Sequence, residues 1–167
     1  MVDWKNPPKL FIPGPVHVLP EVLQQLARPT MGHRNKEYAQ LHNETIAMLK
    51  QVLFTEQHVF LVTSSASGIW EGAIRNCVAK DETVLACGCG AFSDKWGSVV
   101  KSCGRNVDML KVEWGKPNTP EAIDEKLATG KYAAITLVYS ETSTGLANPV
   151  YEISDMMKKK YPNVLVF

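Results

Sequence analysis

The chain has 167 residues, an apolar content of 45%, and 18 basic against 17 acidic side chains for a net charge of +1. That length suggests one domain with a real core, and that composition is globular rather than disordered. The charges are interspersed, which gives no basic face for nucleic acid or an anionic membrane.

Taken in chain order, residues 1–20 hold five of the ten prolines, at Pro7, Pro8, Pro13, Pro15 and Pro20. They predict an extended arm. The polar opening Met1–Lys5 lacks a signal-peptide pattern, and no apolar run reaches membrane-spanning length, so a cytoplasmic location is expected. Pro20 opens a short helix toward Arg28, and Pro29 closes it. Between Lys36 and Phe54 the positions Tyr38, Leu41, Ile46, Leu49, Val52 and Leu53 trace one face of a long helix.

Strand and helix then alternate. Strands are predicted at 58–63, 82–87, 106–112, 132–139 and 163–167. Helices are predicted at 67–79, 92–103, 120–128 and 150–160, with Thr119 as an N-cap and Gly104 and Gly130 as stops. The pattern indicates an α/β fold with a mainly parallel sheet and flanking helices. Lys158, Lys159 and Lys160 fall at a helix C-terminus, where cations oppose the dipole. Cys77, Cys87, Cys89 and Cys103 form no C-x-x-C and no zinc pattern, so reduced structural thiols are expected. A redox role for Cys87 and Cys89 is the alternative.

In such a sheet, ligands lie beyond the carboxyl ends of the strands. Three turns fall there. Thr63-Ser64-Ser65-Ala66-Ser67-Gly68 brings small residues and hydroxyls to a helix start, which suits a phosphate. The same residues also suit a plain serine N-cap. Cys87-Gly88-Cys89-Gly90-Ala91-Phe92 offers G-x-G, with Ser93 where a dinucleotide fingerprint needs its third glycine. Phe92 either stacks on a flat ligand or packs into the core. Ser140-Glu141-Thr142-Ser143-Thr144-Gly145 gathers hydroxyls and a carboxylate that either meet a ligand's oxygen or cap a polar turn.

Five motifs stand in order: Phe11-Ile12-Pro13-Gly14-Pro15, Gly32-His33-Arg34, the serine turn, Trp114-Gly115, and Glu141 through Pro149. Together they resemble the class V aminotransferases, in particular the alanine–glyoxylate and serine–pyruvate aminotransferases. The resemblance implies a partial large domain of the aspartate-aminotransferase fold (fold type I) over 21–167, preceded by the arm. It implies pyridoxal 5'-phosphate as cofactor, with Ser65, Ala66 and Ser67 at its phosphate, Phe92 stacked on its ring and Thr142 at its ring hydroxyl. The family often has glycine and histidine at the positions of Ala66 and Ser67. Gly14, Pro15, His33 and Arg34 are implied at the substrate entrance, near a homodimer interface. The implied reaction moves an amino group from alanine or serine to glyoxylate or pyruvate.

The resemblance also places a pyridine-nitrogen Asp, a Schiff-base Lys and a carboxylate-binding Arg beyond Phe167. No catalytic residue is therefore expected within the chain, which reads as an N-terminal fragment with open strand edges. A complementary C-terminal polypeptide is an expected partner. A non-catalytic truncated product or interaction protein derived from the enzyme, and a nicotinamide-binding Rossmann-like oxidoreductase, are the alternatives.

Overall fold

The computed structural model describes residues 7–167. The polar opening Met1–Lys5, and with it the start of the arm, lies outside the described residues. The chain divides into two compact units, 1–63 and 64–167.

The described residues of the first unit hold two helices. Residues 7–19 form neither helix nor strand, as the fixed φ angles and missing N–H donors of Pro7, Pro8, Pro13 and Pro15 dictate. Helix α1 is Pro20–Leu26, with Pro20 at its first position. Helix α2 is Lys36–Val52, capped by the Asn35 side chain, which accepts from the Tyr38 amide at 2.9 Å. No described residue of this unit is buried.

The strand predicted over 58–63 does not form. Phe60, Leu61 and Val62 stand exposed there. A continuous apolar run makes a strand only where a neighbouring strand pairs with it. No strand among the described residues does so.

The second unit carries the α/β architecture that the alternation predicts. Its elements run α3 (Ala66–Cys77), β1 (Thr83–Gly88), α4 (Ala91–Ser102), β2 (Asn106–Lys111), α5 (Pro120–Leu127), β3 (Tyr132–Thr136), β4 (Ser140–Glu141), β5 (Leu146–Ala147), α6 (Val150–Lys160) and β6 (Leu165–Val166). Four strands form one parallel sheet in the order β2-β1-β3-β6. The short hairpin β4–β5 is a separate antiparallel pair. Sequence periodicity gave no sign of this hairpin, because two-residue strands have no period to read. Gly145 turns it at φ +74°, a conformation that a side chain resists.

Strand alternation divides the core into two layers. On one face Val84 and Ala134 meet Ile74 and Val78 at the end of α3, and Trp96 and Val100 of α4. On the other, Leu85, Cys87 and Ile135 meet Ile123 and Leu127 of α5, and Ile153 and Met157 of α6. Sheet residues that differ by one position therefore serve opposite helix pairs. The Lys158–Lys160 run ends α6 as predicted, and Lys160 Nζ reaches Asp124 at 2.6 Å. Strand β6 pairs with β3 alone, so its outer edge has no partner strand among the described residues. No described helix is long and apolar enough to cross a membrane.

Candidate functional site

The sheet order fixes where a ligand could sit. The chain leaves β1 toward β2 on one side, and later returns to β3 on the other side of β1. The connections diverge at the carboxyl ends of β1 and β3, which opens a crevice there. The β1–α4 turn and the β3–β4 connection both end at this crevice.

A buried carboxylate ties these two segments together. Glu141 closes β4 and is 1% exposed. Its Oε2 accepts from the Ser93 amide at 2.8 Å and from the Ser93 hydroxyl at 2.9 Å. Its Oε1 accepts from the Ser143 hydroxyl at 2.6 Å and from the amides of Phe92 and Ser143, both at 3.3 Å. The Ser143 hydroxyl in turn accepts from the Ala91 amide at 3.0 Å. The first three amides of α4 are thus all engaged by the β4–β5 turn. Such orphan donors at a helix start normally seek a cap or an anion. Here the chain supplies its own anion.

Burial works to raise the Glu141 carboxyl. The Ser143 hydroxyl, then the Ser93 amide and hydroxyl, outweigh it and hold the group below the usual carboxylate range. Glu141 is therefore ionised at neutral pH, with hydrogen-bond donors rather than a cation as its partners.

The glycines of Cys87-Gly88-Cys89-Gly90 acquire a different meaning from a dinucleotide turn. A Cβ on Gly90 would lie 2.4 Å from Glu141 Cγ and 2.6 Å from its Cδ. The glycine admits the chain's own carboxylate, in the place where a pyrophosphate would have to approach α4. The amides of Cys89 and Gly90 are also taken, donating to the Ser93 hydroxyl at 2.8 and 3.0 Å.

The start of α3 is the opposite case. Ser65 is its N-cap residue, in extended conformation, and makes no side-chain cap bond. Ser64 Oγ instead donates to the Ser65 carbonyl at 3.0 Å. No described residue engages the hydroxyls of Ser65 and Ser67, or accepts from the Ala66 and Ser67 amides. Ser65 and Ala66 are exposed and Ser67 is half-buried. This end fits an anionic group, whereas the α4 end does not.

Helices α3 and α4 pack side by side through Trp70 and Trp96, whose rings stack at 4.7 Å and 14°. Trp70 lies four residues after Ala66, and Trp96 five after Ala91. The stack therefore sets the two helix starts at similar depth, at one end of the sheet. Phe92, 38% exposed, stands in the first turn of α4. Thr142 directly follows Glu141 and is exposed. The clasp thus brings the backbones of Phe92 and Thr142 together, and the tryptophan stack relates them to the serine turn.

Two further segments support this end of the sheet. The Gly115 amide donates to the Cys89 carbonyl at 3.2 Å, which lays the Trp114–Gly115 loop beside the β1–α4 turn. Asn148 is buried, accepts from the Asn118 amide at 2.9 Å and donates to the Val138 carbonyl at 2.7 Å. Gly14, Pro15, His33 and Arg34 lie in the first unit and are exposed.

Sequence reasoning singled out Phe92 and Thr142 as ligand residues and placed Glu141, Ser143, Ser93 and Gly90 in two separate polar turns, without joining the turns to each other. Glu141, Ser143, Ser93 and Gly90 make the clasp. The available signal was a single carboxylate after an apolar strand, with a G-x-G turn elsewhere in the chain that needed no fingerprint. Two surface grooves among the described residues are lined by neither Phe92 nor Thr142. One follows β6 and the end of α6 at Met157, Tyr161 and Val166, and the other runs between α4 and β2.

Burial of the cysteines argues against a redox pair at Cys87 and Cys89. Both are buried, and burial, with Cys89 alongside, pushes the Cys87 thiol up to about 12. A thiolate is what reacts. Native alkylation followed by mass spectrometry is expected to label exposed Cys77 rapidly and to spare Cys87, Cys89 and Cys103. Rapid labelling of Cys87 would contradict this core.

No family model matches the chain. Among curated proteins, it is 41% identical to an uncharacterized aminotransferase of Methanocaldococcus jannaschii, across 89% of this chain and 39% of that protein. It is 32% identical to the serine–glyoxylate aminotransferase of Methylorubrum extorquens, across 84% of this chain and 36% of the relative. Among solved structures, an aspartate aminotransferase from Thermus thermophilus superposes with a TM-score of 0.86 at 31% identity, covering 95% of this chain and 44% of that one. The chain spans about two fifths of the length of the curated relatives it matches.

Proposed function

The chain belongs to the class V aminotransferase family, of which it spans about two fifths of a member's length, and from this we propose that it forms part of a pyridoxal 5'-phosphate site in an amino-group transferase. The observation that carries the reading is the contrast between two helix starts in one sheet. That of α4 is filled by Glu141, and that of α3 presents free amides and the unengaged hydroxyls of Ser65 and Ser67.

In this reading Ser65, Ala66 and Ser67 hold the cofactor phosphate through backbone amides and hydroxyls. Phe92 covers one face of the ring. The Thr142 hydroxyl meets the ring oxygen, and its hydrogen bond orients the ring in its plane. Gly14, Pro15, His33 and Arg34 border the substrate entrance. The cofactor, when bound, supplies the electron sink for amino-group transfer. The whole protein's reaction, by this proposal, moves an amino group from a small amino acid such as alanine or serine to glyoxylate or pyruvate. Its assembly, by the same proposal, is a homodimer. A nicotinamide reading loses its main support, because the G-x-G turn accommodates Glu141.

The test is a titration of the 167-residue chain with pyridoxamine 5'-phosphate, which has no aldehyde to react with surface lysines. Joint replacement Ser65→Ala and Ser67→Ala is expected to weaken binding roughly tenfold, the loss of charge-assisted hydrogen bonds to phosphate. Pyridoxamine without phosphate is expected to show no such difference between the two proteins. Equal affinity of both proteins for the phosphorylated form would overturn the assignment of the phosphate to this turn.

A further inference from the structure

We propose that Glu141 is a positioning residue for the ring end of this site, clamping the turn that carries Thr142 onto the helix start that carries Phe92. The inference rests on the reading that Phe92 and Thr142 face a flat ligand.

The connections made by Glu141 are unusual in their direction. Each of its two oxygens serves the first turn of α4, 48 or 49 residues away in sequence. Its Oε1 also gathers the amide and hydroxyl of Ser143 within its own turn. Phe92 and Thr142 are therefore tied to one carboxylate by short backbone links. The Phe92 amide donates to it, and Thr142 is the next residue in the chain. A ring lying between the Phe92 face and the Thr142 hydroxyl needs both to hold still. Loose placement of supporting groups by about 1 Å is costly at such sites.

A carboxylate is the only side chain that suits this position. Every group pointing at it is a donor: three amides and two hydroxyls. A glutamine offers one acceptor oxygen, and its NH2 would confront the donors on the other side. The swap is conservative in shape and not in hydrogen bonding. Aspartate keeps both acceptors and the charge but is shorter by one methylene. Neighbouring Gly90 leaves room for the carboxylate and no more, since its missing Cβ would overlap Glu141. The Ser93 hydroxyl extends the clasp to the end of β1 by accepting from the amides of Cys89 and Gly90.

The inference separates two ends of one ligand. The phosphate end depends on α3 and does not touch Glu141. The ring end depends on the clasp. In the 167-residue chain, Glu141→Gln is expected to weaken pyridoxamine 5'-phosphate roughly tenfold, the equivalent of one charge-assisted hydrogen bond's worth of positioning. Inorganic phosphate is expected to bind the variant as it binds the parent, and Glu141→Asp is expected to recover part of the loss. Hydrogen exchange at the amides of Phe92, Ser93 and residues 142–145 should accelerate in Glu141→Gln.

Undiminished binding of pyridoxamine 5'-phosphate by Glu141→Gln would overturn the proposal. So would an equal loss of pyridoxamine 5'-phosphate and inorganic phosphate, which would indicate general damage. If Glu141→Gln fails to fold, Ser143→Ala removes one clasp hydroxyl while leaving the charge, and the same selective loss is expected in smaller measure. If the parent chain binds neither probe, the cofactor reading falls. Hydrogen exchange then judges the clasp by itself, because unchanged exchange at Phe92 and Ser93 in Glu141→Gln would overturn it as well.

Discussion

Gly90→Ala is expected to destabilise the chain by about 3 kcal/mol, the combined cost of overpacking and of lost capping bonds at α4. The added methyl would overlap Glu141 Cγ and Cδ, with Ser143 Oγ close by at 2.7 Å. Glu141 cannot swing away cheaply, because it is 1% exposed and bonded to Phe92, Ser93 and Ser143. Displacing it would strip the first turn of α4 and leave a charge buried without donors. Backbone conformation is not the cause. Gly90 has φ 176°, extended and open to any residue.

Gly88→Ala provides the control. Its new Cβ would overlap the Asp94 carboxyl end, but that side chain is partly exposed, holds only a surface ion pair with Lys111 at 3.6 Å, and can turn outward. A cost of about 1 kcal/mol is expected there. Urea denaturation of both variants measures the difference. A double-mutant cycle isolates its origin: in a Glu141→Ala background, Gly90→Ala should cost far less, because the crowding partner is gone. Equal costs in both backgrounds would show that the overlap with Glu141 is not what makes Gly90 necessary.

Local signals carried most of the fold into the sequence. Helix α6 spans Val150–Lys160, as its apolar spacing and basic end predict, and α4 and α5 begin within a residue of their expected starts. These elements are amphipathic, capped and bounded by Gly or Pro, so the information lies within a few turns. Two features escaped for the same reason. The 58–63 segment reads as a strand from composition, yet a strand is completed by its neighbours. The clasp joins Glu141 to Ser93 across 48 positions, and no periodicity reports a contact at that separation. The G-x-G turn shows the limit most clearly. Gly88 and Gly90 announce a close approach to backbone, and the sequence does not say what approaches. A ligand and a side chain of the same protein leave the same signature. The candidate ligand residues were legible one by one through resemblance, while the groups that position them become visible only once β1 and β3 are placed side by side.

Trp96→Ala is expected to be the most disruptive single truncation in the second unit, at about 4 kcal/mol. Trp96 is 5% exposed and packs with Ile74, Val84 and Val100 between α4 and the sheet. Its ring stacks on Trp70 of α3 at 4.7 Å, and its centroid lies 6.3 Å from that of Phe167, which follows β6. One side chain therefore couples two helices and the last residue of the chain. Aromatic pairs of this geometry add to the area that they bury, and the cavity left by truncation adds again. Trp70→Ala should cost less, since Trp70 is only half-buried. Thermal unfolding followed by far-UV circular dichroism measures both, and near-UV dichroism reports the loss of the stacked pair directly. A functional consequence is expected at the crevice. The stack sets the starts of α3 and α4 against each other, so Trp96→Phe, which preserves an aromatic body, should retain more binding of pyridoxamine 5'-phosphate than Trp96→Leu does. Equal retention by the two variants would mean that bulk alone, and not the stacked ring, aligns the two helix starts.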